Sequence, residues 1–221
     1  MVKLILFDID GTLMEESPTH TAAFDYVCKE IYGVDTDIKS FPRHGMTDTG
    51  IMYGLLKKQG IPEVEIKAKL DIAFQALIGY VSTNLQPADY KLLNNVKNVL
   101  DAVKVNGHIS GILTGNLQPI AEIRLQHAGI EEYFITGGYG SDSIIRSKLV
   151  DYAIQRYGSN INRSEIYLIG DTPLDIKAAR EASTGAVGIA TGVYPITDLS
   201  AADLTLKNFK DINKLLDFLK N

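Results

Sequence analysis

The chain has 221 residues, 45% hydrophobic and 22% charged, with a net charge of −5, the make-up of a soluble globular protein long enough for a full core. That balance excludes a basic nucleic-acid or membrane-surface binder, and no apolar run reaches the length of a membrane span. Cys28 is the single cysteine, so no intrachain disulfide can form, and a reducing, cytoplasmic setting is expected.

The apolar run Leu4-Ile5-Leu6-Phe7 predicts a strand, and it stops at Asp8-Ile9-Asp10-Gly11-Thr12. Alternate residues of an extended chain point the same way, so Asp8 and Asp10 can face one pocket. Two adjacent carboxylates repel unless a cation sits between them or one is protonated, and magnesium suits such an oxygen-rich site. Ser17-Pro18-Thr19 then reads as a helix start, followed by Ala22, Ala23, Tyr26, Val27 and Ile31 at mostly helical spacing. Cys28 falls inside this helix as a packing residue.

The polar stretch from Phe41 to Asp48 leads into a helix with Ile51, Leu55 and Leu56, and Gly60-Ile61-Pro62 separates it from a long helical pattern, Val64 to Tyr80. No strand is expected there, so residues 15–87 read as a helical insertion and residues 1–14 and 88–221 as the surrounding domain. Past it, helices alternate with apolar strands near 108–113, 133–136, 166–169, 186–190 and 204–206. Gly137-Gly138-Tyr139-Gly140 reads as a turn, and the segment from Phe209 to Leu219 as an amphipathic closing helix. The alternation predicts an α/β fold, a doubly wound parallel sheet with an α-helical cap inserted after its first strand.

Ligands of such sheets collect at the carboxyl ends of the strands. Three apolar strands here end in polar groups: Asp8 and Asp10, Thr114 with Gly115 and Asn116, and Asp171 with Asp175. Taken singly, Thr114 fits a helix N-cap equally well and Asp175 fits the first turn of its helix. Their joint placement is what points to a site.

With these residues in view, the chain resembles the haloacid dehalogenase-like hydrolases, phosphatase type, with a helical cap between the first two motifs. Asp8-Ile9-Asp10-Gly11-Thr12 is similar to motif one, Leu113-Thr114-Gly115-Asn116 to motif two, and Gly170-Asp171-Thr172-Pro173-Leu174-Asp175 to motif four. The resemblance implies that Asp8 is the nucleophile and Asp10 the general acid and base. It implies Mg2+ held by Asp8, the Asp10 carbonyl and Asp171, with Asp175 nearby, and phosphate oxygens held by Thr114, Gly115 and Asn116. The motif-three lysine before proline is missing. Arg146 and Lys148 remain as the phosphate-binding cation, and Arg146, nearer the expected helix start and with a planar fork, is favoured.

The cap would select the substrate, with His20, Arg43, His44, Thr47 and Asp48 as contact candidates. The expectation is a magnesium-dependent phosphomonoester hydrolase working through a phosphoaspartate on a small phosphorylated metabolite, as monomer or homodimer, without nucleic-acid or membrane partners. A phosphomutase of the same superfamily and a non-enzymatic metabolite-binding protein are the alternatives.

Overall fold

The computed structural model describes residues 1–220. Its centre is a parallel sheet of six strands, β1 (Leu4–Phe7), β2 (Ile109–Leu113), β3 (Phe134–Gly138), β4 (Ile166–Gly170), β5 (Gly185–Ile189) and β6 (Leu204–Leu206), in the order β3-β2-β1-β4-β5-β6. β1 is central and wholly buried, which explains its uninterrupted apolar run. Phe7 pairs with Ile112 of β2 on one side and with Ile169 of β4 on the other. The chains leaving β1, β2 and β4 therefore emerge side by side, at the point where the strand order reverses.

Helices cover both faces. Ile5 and Phe7 of β1 pack with residues of α4 (Val96–Val105), α5 (Gln118–Ala128) and α8 (Ile212–Lys220), whereas Leu4 and Leu6 pack with α6 (Lys148–Tyr157) and α7 (Pro173–Glu181). The alternation along one strand thus feeds two apolar layers, each fully buried side chain contributing about 1.5–3 kcal/mol.

Between β1 and α4 lie α1 (Pro18–Tyr32), α2 (Asp48–Lys58) and α3 (Glu63–Asn84), with no strand among the described residues. The start of α1 follows from Ser17, whose hydroxyl accepts the His20 amide at 2.9 Å, and from Pro18 in the first turn; Gly33 in the left-handed region ends it. Phe24, Val27, Met52, Leu55, Leu56, Ile66 and Leu77 form a separate apolar cluster, which also takes in Leu117 and Ile120 at the start of α5. That shared cluster seats the insertion over the carboxyl end of the sheet.

The two chain crossings between sheet and insertion lie together. The Glu15 amide donates to the Lys91 carbonyl and the Leu93 amide to the Leu13 carbonyl, both at 3.0 Å, and Met14 bridges antiparallel to Leu92.

One sequence expectation is corrected. Gly137 and Gly138 belong to β3 rather than to a turn. The reason is a close approach: α6 packs so tightly on β3 that a Cβ at Gly138 would overlap the Leu149 carbonyl.

Candidate active site

Asp8 leaves β1 buried, with its amide donating to the Ile169 carbonyl at 2.9 Å. One oxygen each of Asp8, Asp171 and Asp175 lies within 4.8 Å of the others, all three residues buried. Burial foremost, with Asp175 and Asp10 adding repulsion against the attraction of Arg146, pushes the Asp8 carboxyl above the usual carboxylate range. Asp171 is pushed up by burial, then by Asp175 and Asp8. Its side chain accepts a long 3.4 Å bond from the Thr12 hydroxyl. Buried, crowded and made of carboxylates, this group fits a divalent cation.

Asp175 is used differently. Its Oδ2 accepts the Thr172 amide at 3.0 Å and hydroxyl at 2.7 Å, a capping box at the start of α7, and its Oδ1 accepts Arg146 Nη2 at 2.6 Å. The same Nη2 stands 3.1 Å from Asp8 Oδ1. Arg146 lies two residues before α6, and although burial disfavours its charge, Asp175 and Asp8 push its pKa up. Lys148, the first residue of α6, is exposed and lines no part of the cavity, because two further residues, about half a helical turn, carry it to the outer face.

Asp10 turns to another cation. Arg124 of α5, wholly buried, places Nη1 3.0 Å from Asp10 Oδ2 and Nη2 2.8 Å from Oδ1, and the Asn116 side-chain amide donates to Oδ2 at 2.9 Å. Burial opposes ionisation of Asp10, but the attraction and hydrogen bond of Arg124 outweigh it, with His20 and Asn116 adding to the effect, and its pKa falls below the usual range. Sequence reasoning missed Arg124. The available signal was a cation four residues after Ile120, on the stripe that buries Ile120, Ala121 and Leu125.

The insertion closes the site from above. A cavity of about 270 Å³ is lined by Asp8, Asp10, Thr114, Gly115, Asn116, Arg146 and Asp171 below, and by Glu16, His20, Arg43, His44 and Asp48 above. His20 Nε2 is 3.0 Å from Asp48 Oδ2, which also accepts the Leu117 amide at 2.8 Å. Arg43 Nε donates to Glu16 at 2.9 Å. Thr47 does not line the cavity; its hydroxyl caps α2 by accepting the Gly50 amide at 3.1 Å. The loop that carries these residues rests on the sheet side: the Asp48 amide donates to the Gly115 carbonyl at 2.7 Å and Arg146 Nη1 to the Gly45 carbonyl at 3.1 Å. Gly45 has φ +78°, and a Cβ there would overlap the Thr172 hydroxyl, so glycine is required twice over.

A family profile described as haloacid dehalogenase-like hydrolase matches residues 5–189, spanning both the aspartate-bearing strands and the insertion. The chain belongs to this family. It is therefore a hydrolase, and the curated relatives it matches include phosphatases. The phosphoglycolate phosphatase of Vibrio vulnificus strain YJ016 is 26% identical over 217 residues, covering 91% of this chain and 90% of the relative. That of Photobacterium profundum is 26% identical, covering 99% and 96%. Among solved structures, a β-phosphoglucomutase from Clostridium difficile superposes with a TM-score of 0.78 at 17% identity, covering 100% of this chain and 98% of its own. A hydrolase from Pseudomonas syringae gives 0.71 at 22%, with 99% of each chain covered. At these identities the structures show a shared fold. Among the described residues no helix is long and apolar enough to cross a membrane.

Proposed function

We propose that this protein is a magnesium-dependent phosphomonoesterase that works through a phosphoaspartate at Asp8, with residues 15–87 acting as its cap and a small hydroxylated metabolite as leaving group. The observation that carries this reading is the pairing of Asp8 with Arg146 on the cavity floor, 3.1 Å apart, with the Asp171 carboxylate beside them. A nucleophile, a cation for phosphoryl charge and a metal-type carboxylate share one wall.

An Asp8 oxygen attacks phosphorus as the bond to the leaving oxygen breaks, and Asp10, ionised at rest against Arg124, enters this step carrying the proton it gained in the preceding hydrolysis and gives it to the departing oxygen, which leaves as an alcohol. A water then attacks the phosphoaspartate while Asp10 takes its proton, releasing phosphate and restoring Asp8. Arg146 lies where the phosphoryl oxygens would gather, and its Nε has no hydrogen-bond partner among the described residues, leaving a donor for them. Thr114 and the loop at Gly115 and Asn116 form the opposite side of the phosphate pocket. Magnesium, which Asp8 and Asp171 would hold with Asp175 behind them, supplies charge neutralisation at the phosphoryl group when bound.

The cap side favours an uncharged leaving group. Arg43 is paired with Glu16 and His20 with Asp48, which leaves His44, of these three basic residues on the cap wall, to meet a second phosphoryl group or a carboxylate. The test is a panel of phosphorylated metabolites assayed for phosphate release with magnesium and with excess chelator. Sugar or polyol monophosphates are expected to lead, ahead of phosphoglycolate. An isomer appearing instead of free phosphate, from a hexose monophosphate with a bisphosphate primer, would convert the reading to a mutase.

A further inference from the structure

Arg124 makes more polar contacts than any other buried cation here, and they do not go to one place. Beyond Asp10, its Nε donates to the Asp89 carbonyl at 2.8 Å, its Nη2 to the Glu15 carbonyl at 3.1 Å and its Nη1 to the Asn116 side-chain oxygen at 2.9 Å. Four hydrogen bonds and the 2.8 Å ion-pair contact of Nη2 with Asp10 Oδ1 thereby surround the planar fork, the condition under which a wholly buried guanidinium is tolerated. Glu15 lies on the chain crossing into the helical insertion and Asp89 on the crossing out of it. A single side chain thus ties both crossings to Asp10 and to the loop after β2.

We propose that Arg124 is a positioning residue that fixes the Asp10 carboxylate against the two crossings, so that the proton-transfer group holds its place only when the insertion is seated. Asp10 sits on the loop after β1, and among the described residues the one side chain besides Arg124 that donates to it is Asn116, itself a partner of Arg124. Removing Arg124 removes the reference for both. Lysine supplies charge but three donors from one point, which cannot span acceptors on three separate chain segments. The proposal rests on the reading of Asp10 as the proton-transfer group.

The test compares Arg124→Gln and Arg124→Lys with wild type on two readouts. The first is turnover, in magnesium, of p-nitrophenyl phosphate, whose leaving group departs without a proton, and of an alkyl phosphate, whose leaving group needs one. Arg124→Gln should lose on the order of 10²-fold in kcat on the alkyl ester but only about threefold on the aryl ester, with KM little changed, and Arg124→Lys should recover part of the difference. Equal losses on both esters would reduce Arg124 to a structural residue and overturn the proposal. The second readout, amide hydrogen exchange without substrate, should show faster exchange at residues 13–17 and 89–93 together in Arg124→Gln; unchanged exchange at either crossing overturns the clamp. If wild type hydrolyses no phosphomonoester, the hydrolase reading fails and the clamp is decided by exchange alone. If Arg124→Gln does not fold, Arg124→Lys takes its place on both readouts, where the same selective loss is expected in milder form and equal loss counts against the proposal.

Discussion

Arg146 and Asp8 stand 3.1 Å apart although 138 positions separate them in the chain, and the same Nη2 is 2.6 Å from Asp175. One guanidinium therefore offsets two carboxylates of three that burial forces together. Arg146→Ala should cost on the order of 10²–10³ in kcat and about 3–5 kcal/mol of stability, because it strands buried charge. Arg146→Lys should keep most of the stability and part of the rate. Lys148→Ala, on the outer face, should stay within about twofold in activity and about 0.5 kcal/mol in stability. Phosphate-release kinetics and urea melts on the three variants check this.

Asp8→Asn should lower turnover by on the order of 10³-fold or more without lowering the melting temperature of the metal-free protein, since a neutral amide removes repulsion from Asp171. A variant retaining substantial magnesium-dependent turnover would remove Asp8 as nucleophile.

Magnesium should raise the melting temperature, and more at pH 8 than at pH 5. Asp8 and Asp171 are raised to about 7 and about 9, chiefly by burial. A carboxyl whose folded pKa is raised contributes stability that is full below its unfolded value and lost as pH rises through the folded one. The metal-free protein therefore weakens between about pH 4 and 9, the range in which a cation takes over from the protons. At a hundredfold excess over its dissociation constant the ion should add about 2.7 kcal/mol, and Asp171→Asn should abolish most of the gain. Scanning calorimetry at the two pH values measures it.

Asp89 accepts the Ser17 hydroxyl at 2.6 Å, the Thr19 amide at 2.8 Å, the Thr19 hydroxyl at 2.7 Å and the Gln86 amide at 2.6 Å. Burial raises its pKa, but these donors together bring it below the usual range. A depressed carboxyl stabilises above its unfolded value, near about 4, and that contribution is lost as pH falls through the lower folded value. Asp89→Asn should cost about 1–3 kcal/mol at pH 7 and flatten the acid limb of the stability curve, measured by urea titration from pH 7 to 3.

The fold was legible because its signals are local. The uninterrupted run at Leu4–Phe7 marks a strand buried on both faces, and Ser17-Pro18 marks a helix start whose hydrogen bond the structure shows. Gly137 and Gly138 misled because a glycine pair signals a turn by conformation, whereas here its reason is the approach of α6. Thr47 sits among the polar residues of its loop yet faces α2 as a cap.

By itself the sequence determined which residues leave the ends of apolar strands, Asp8, Asp10, Thr114 and Asp171, and the alternation of strand and helix placed those ends on one edge of a parallel sheet. Only the tertiary structure decided which charges meet. Asp10 faces Arg124 and Asn116, Asp175 divides itself between a helix cap and Arg146, and His20 and Arg43 are each held by an acidic partner. The reason is that spacing sets where a side chain leaves its own element, while the partner it finds depends on how two elements dock, through contacts that no local stretch contains.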